Sequence, residues 1–180
     1  MVPRMPAADP REGVAGAARQ LAQALTAAAL AEARVLTVAT RLGPAVASRD
    51  PDAVAQAVAL QRDALAQVSE EQAFVRAALA ELARRIGLPG EASLDALLTG
   101  LGHLGLLDEV GAVDHARQAL LARTAETRSA NAANALLLRQ ALAFTSLALR
   151  WLVHPQEPDG GYTARGPRNG VPMRVLDARV

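Results

Sequence analysis

Residues 14–42 read VAGAARQLAQALTAAALAEARVLTVATRL. Val14, Leu21, Ala28, Val35 and Leu42 stand seven apart, and Ala17, Ala24, Ala31 and Val38 fill a second seam three residues on. Every one of these positions is apolar, which is coiled-coil-like patterning of a long amphipathic helix. Asp9-Pro10 supplies its start, a capping side chain followed by proline at the first helical position. Gly43-Pro44 ends or kinks it, because glycine suits a C-cap and proline has no N–H to donate. The pattern therefore predicts a helix over 10–42.

Working outward, Asp50-Pro51 repeats the start signal, with Asp52 adding negative charge to the first turn. The second helix, 51–86, has seams Val58, Leu65, Gln72, Leu79, Ile86 and Val54, Gln61, Val68, Val75, Leu82. Only Gln61 and Gln72 in them are polar. Gly87 and Pro89-Gly90 stop it. Residues 87–111 read as a packed connector. Ser93 caps a short helix through Leu94, Leu97 and Leu98, and four glycines weaken anything longer. A third long helix is expected over 112–153, with the seam Ala116, Leu120, Thr124, Thr127, Asn131, Asn134, Leu138, Ala141, Thr145, Ala148 and Leu152. Beyond it, prolines and glycines from Pro155 to Pro172 argue against a regular element. The expectation is an all-α protein: an elongated antiparallel helical bundle of three main helices in a domain 1–153, followed by a mobile C-terminal tail, 154–180.

Composition supports this and removes other classes. Of 180 residues, 51% are apolar but only 2% aromatic, and alanine leads, so the bundle is slender. With no cysteine, thiolate metal sites and disulfides are excluded. All nineteen basic residues are arginine, yet the net charge is +1 and no basic stripe stands out, so nucleic acid is not the expected partner. No uninterrupted uncharged apolar run approaches a membrane span, so no membrane insertion is expected. Leu21–Ala31 resembles a signal-peptide core, but it starts late and fits the heptad. A cytoplasmic location follows as the default. His103, His115 and His154 have no ligand partner at helical spacing, no phosphate-cradling loop is present, and neither enzyme activity nor a cofactor or metal is expected.

Two groups of residues call for partners. Gln61, Gln72, Asn131 and Asn134 form a polar seam on the inward faces. They pair with one another across the bundle and set its register, or serve a bound peptide, or reflect weak selection in an alanine-rich helix. Leu137, Phe144 and Trp151 lie two turns apart, with Leu147 one turn before Trp151. Leu138, Ala141, Leu142, Ala148 and Leu152 are expected to cover the core side of the same segment. The extra apolar stripe then meets the connector, a client, or a second copy in a homodimer.

Three stretches resemble the FlgN family of flagellar export chaperones. They are Ser48-Arg49-Asp50-Pro51 with the following Ala-Val-Ala-Leu-Gln-Arg run, the segment Ser129-Ala-Asn-Ala-Ala-Asn-Ala-Leu-Leu-Leu-Arg-Gln-Ala-Leu, and His154-Pro-Gln-Glu-Pro followed by Gly161-Tyr-Thr-Ala-Arg-Gly. The resemblance implies a helical chaperone that binds the amphipathic C-terminal segments of the hook–filament junction proteins FlgK and FlgL. It also implies delivery to the type III export gate, with Tyr162 matching the tail tyrosine that docks to the gate protein FlhA. Thr163 and Arg165, the expanded connector 99–111 and the tail 167–180 depart from the family pattern. Other readings are a different helical secretion chaperone or adaptor, a structural coiled-coil dimer with no client, and an arginine-rich nucleic-acid binder.

Overall fold

The computed structural model describes residues 10–153, and among these it contains four helices and no strand. The first, α1 (Pro10–Ala47), carries Pro10 at its start and Glu12 in its first turn. It buries Val14, Ala18, Leu21, Leu25, Ala28, Val35, Ala39 and Leu42, one residue per turn or so along a single side. It does not end at Gly43-Pro44. The missing proline N–H removes one hydrogen bond, but Ser48 N–H still reaches the Pro44 carbonyl at 2.9 Å, and Ala45 and Val46 are half-buried. One further packed turn outweighs one lost bond.

Arg49 makes the reversal with φ +56, and Asp50 caps α2 (Pro51–Ile86) by accepting from the Asp52 N–H at 3.0 Å. The far end closes on Gly87 at φ 76, whose N–H reaches back to Ala83 and Arg84, while Leu88 N–H bonds Ala83 at 2.9 Å. The inward face of α2 differs from the heptad reading. Val58, Leu65 and Gln72 are exposed, and Ala57, Ala64 and Glu71 take the inward places. A helix turns every 3.6 residues, so a strict seven-residue seam slips ~20° per heptad. Counted back from Ile86, four heptads accumulate nearly one residue of rotation.

The connector holds a helix of its own, α3 (Leu94–His103). Ser93 accepts from the Ala96 N–H at 3.2 Å, and Leu97 and Leu101 have no exposed surface. Gly105, at φ 75, turns the chain, and α4 (Leu107–Val153) begins five residues before the expected 112. Asp108 and Glu109 favour its first turn, and Gly111 is carried inside at ~1 kcal/mol relative to alanine. The described residues thus hold three long helices and, in the connector, the short Ser93-capped helix, which runs on to His103.

The chain divides into two units, Met1–Arg139 and Gln140–Val180. In the first, the core joins all four helices: Val14, Ala18, Leu21 and Leu25 of α1, Leu82 and Ala83 of α2, Leu97 and Leu101 of α3, Val113 and Ala116 of α4. Each buried leucine there contributes ~1.5–3 kcal/mol, so the α3 leucines are a principal closure of this unit. A smaller cluster, Ala31, Val35 and Val68, continues between α1 and α2. The polar pairs report direction. Arg85 to Gly13 and Arg34 to Gln67 rise along α1 as they fall along α2. Arg19 with Glu109, Thr127 with Glu32 and Asn134 with Ala39 rise together along α1 and α4. Of the second unit, residues 140–153 are described and form the last turns of α4.

Candidate functional site

The seam of α4 changes character along its length. Val113 and Ala116 are apolar and buried, while Thr127 and Asn134 are buried and polar. Each polar member has a partner. Thr127 donates its hydroxyl to the Glu32 carbonyl at 3.2 Å, and Asn134 Nδ2 donates to the Ala39 carbonyl at 2.8 Å. Gln61 Nε2 donates to Asn131 Oδ1 at 3.0 Å, joining α2 to α4. The α1 carbonyls can take a second donor because each has two lone pairs. No buried side-chain polar atom lacks a partner among the described residues.

The structure therefore brings Gln61 and Asn131 together and sets Asn134 against the α1 backbone. Gln72 is not among them: the slip of α2 leaves it in solvent. Thr127 was present in the α4 seam but was not singled out. Nothing in the sequence marks Glu32, whose carbonyl it meets and which is itself buried.

Toward the end of α4 the apolar side chains come out of the protein. Leu137 is 42% exposed, and a methyl group added at Gly43 would stand 3.7 Å from its Cδ1, so its side chain lies over Gly43 of α1. In the second unit Phe144 is 67% exposed, Leu147 54% and Trp151 62%. The core side of this segment is open as well. Ala141 and Ala148 are half-buried, but Leu142, Leu149, Leu152 and Val153 are exposed, whereas Leu142 and Leu152 were expected to be covered. Thr145 also stands exposed. Tyr162 and the rest of the tail lie outside the described residues.

Other features offer less. A shallow apolar cleft of 340 Å³ is lined by Ile86, Leu88, Ala96, Thr99, Gly100, His103 and Leu104, with no acid beside the imidazole. Among the described residues no three of His, Cys, Asp or Glu gather as a metal site. Hydrogen bonds from Arg85, and then from Arg84, hold the Glu81 carboxyl below its usual range. Arg85 also donates to the Gly13 carbonyl at 3.0 Å, so this cluster ties the end of α2 to the start of α1. By length and composition α1 and α4 each contain a stretch that could cross a membrane, both with mean hydropathy 1.3. The stretch in α1 is 39% buried and lies near the N-terminal end of the described residues, whereas that in α4 is 0% buried.

Residues 16–170 of the chain match the family model described as FlgN protein, a span that runs from the first turns of α1 past Tyr162. No curated protein and no solved structure matches the chain.

Proposed function

The chain belongs to the FlgN protein family, and from that premise we propose that it is a cytoplasmic chaperone of flagellar export. On this reading its long helices, packed as an antiparallel scaffold, hold a hook–filament junction protein of the FlgK or FlgL type through an amphipathic C-terminal helix. They prevent premature association of the client and carry it to the type III export gate. The observation that carries the proposal is the exposure of Phe144 and Trp151, together with Leu147 and Leu137, in a chain with one tryptophan and two phenylalanines. Aromatic side chains are efficient anchors, since they bury much area with few rotatable bonds. A solvent-exposed row of them at helical spacing fits a groove that receives a helix through i, i+3, i+4 and i+7 contacts.

In this scheme Tyr162 docks the loaded chaperone to an export gate protein of the FlhA type. The work is binding alone, with no cofactor, no metal and no catalysis, and release comes from the export machinery. Neither nucleic acid nor membrane insertion has a role. Calorimetry with the C-terminal peptide of the junction protein tests the reading. Phe144→Ala and Trp151→Ala are each expected to weaken binding by more than ~1 kcal/mol while the melting temperature holds. Unchanged affinity in both would remove the stripe as the client site.

The same exposed stripe supports a second reading, a homodimer seam in a structural coiled coil without a client. Sedimentation of the free protein separates the two. A dimer abolished by the same substitutions would favour the seam.

A further inference from the structure

The last turns of α4 carry one narrow polar face and one broad apolar face. At ~100° per residue, Arg139, Ser146 and Arg150 fall within about 40° of one another. Going round from them, Leu147, Trp151, Phe144, Leu152, Leu149 and Leu142 follow over an arc of about 220°. All six are exposed, and only Gln140 and Thr145 interrupt the arc with polar groups. No residue of the apolar stretch of α4 is buried within the protein. The charge is of one sign: α4 carries no acid after Glu126, and Arg139 and Arg150 are exposed with no ion pair among the described residues.

We propose that the end of α4 binds an anionic lipid surface and lies along it, with Arg139 and Arg150 among the headgroups and the apolar arc in the acyl boundary beneath. A helix with arginine on its polar side and Trp, Phe and Leu on the other has the composition of an interfacial helix. The width of the arc selects this occupant. A neighbouring helix, from a second copy or from another protein, covers a stripe about 100° wide and leaves more than half of the arc in water. A lipid interface takes up the whole arc at once, and the long arginine stems run beside the apolar side chains to bring their charge to the phosphates. Residues 154–180 set four arginines against three acids, so they do not neutralise Arg139 and Arg150. The segment does not span the bilayer. A crossing helix needs ~20 apolar residues, and Arg139 and Arg150, ~16 Å apart along the axis, would put a charge in the hydrocarbon. The inference goes beyond the client-binding reading and stands without it. Lipid and client share Phe144, Leu147 and Trp151, so each excludes the other.

Trp151 is the only tryptophan of the chain, so its emission reports on this segment alone. The full chain is titrated with vesicles of phosphatidylglycerol and phosphatidylcholine in equal parts, and with phosphatidylcholine alone. Binding is read by co-sedimentation and by Trp151 emission. The anionic vesicles are expected to bind about tenfold or more tighter than the neutral ones, with a blue shift of the emission and a loss of binding in high salt. Arg139→Gln with Arg150→Gln is expected to lower this binding severalfold in low salt and to flatten its salt dependence. Leu142→Ala with Leu149→Ala is expected to lower it about tenfold or more at an unchanged melting temperature. A wild-type chain that does not bind the anionic vesicles, binds both kinds equally, or binds without an emission shift overturns the proposal. So does binding that neither pair of substitutions weakens. Without vesicle binding, self-association lost in the leucine variant would make a second copy the occupant. Junction-protein affinity lost in that variant would make it a protein partner and leave the client reading standing. Either result overturns the lipid assignment.

Discussion

Replacing Asn134 with leucine should make the protein more stable, and the reason lies in what the asparagine contacts. Its residue surface is 9% exposed, and its amide donates one hydrogen bond, to the Ala39 carbonyl at 2.8 Å. That carbonyl lies inside α1, where a regular turn already gives it the N–H of Gly43, so losing the amide does not orphan it. The loss is then the net value of one bond, ~0.5–1.5 kcal/mol. Leucine at the same place buries most of an apolar side chain, a gain of ~1.5–3 kcal/mol, reduced by up to ~1 kcal/mol for imperfect fit. The balance favours Asn134→Leu by ~0.5–1 kcal/mol, or a few degrees in melting temperature for a chain of this size. Asn134→Ala loses the bond and gains no packing, so it should cost ~1–2 kcal/mol. Urea unfolding at constant m reads both. A loss above ~2 kcal/mol for the leucine variant would refute the reasoning, and would mean that the amide serves a partner other than the α1 backbone.

Leu101→Ala should cost ~2–5 kcal/mol in chemical denaturation, because the side chain has no exposed surface and closes the four-helix core through α3. Glu81→Gln should flatten the acid limb of the stability–pH curve. The carboxyl is lowered in the folded state, so its contribution is full above the unfolded carboxyl pKa and fades as pH falls through the folded one. An unchanged acid limb would show the Arg84 and Arg85 bonds to be without thermodynamic effect. Tyr162→Ala should reduce export in a motility assay without moving the melting temperature or client affinity, and a large thermal shift would show that the tyrosine is packed.

Much of the fold was legible because helices declare themselves locally. The α1 seam is one such case, and the α4 seam from Ala116 through Asn134 is another: their apolar and amide positions recur at the spacing that one face of a helix requires, and they are buried or half-buried in the structure. Asp50 and Gly87 mark the ends of α2 through their own backbone chemistry, which needs no distant partner. The polar seam was half legible, since inward-facing amides must find partners but the pattern does not name them. That Asn131 meets Gln61, whereas Asn134 meets the backbone of α1, depends on how far α2 rotates relative to the heptad.

Tertiary contact decided the rest. Whether Gly43-Pro44 ends α1 is a contest between one lost hydrogen bond and one packed turn, and only the packed neighbours set the second term. Leu97 and Leu101 make the glycine-rich connector an element of the core because they pack in one buried cluster with residues of α1, α2 and α4. At the end of α4 the sequence shows apolar residues on several faces, and periodicity assigns some of them to a core. Exposure of Leu142, Phe144, Leu149 and Trp151 shows that this core is not supplied by the described chain. The sequence by itself thus determined where the helices lie, though not their ends at Ala47 and Leu107, and which of their residues are apolar. Which apolar faces are satisfied within the protein, and which remain for something else, is a property of the assembled helices, because burial is a relation between surfaces and not a property of a residue.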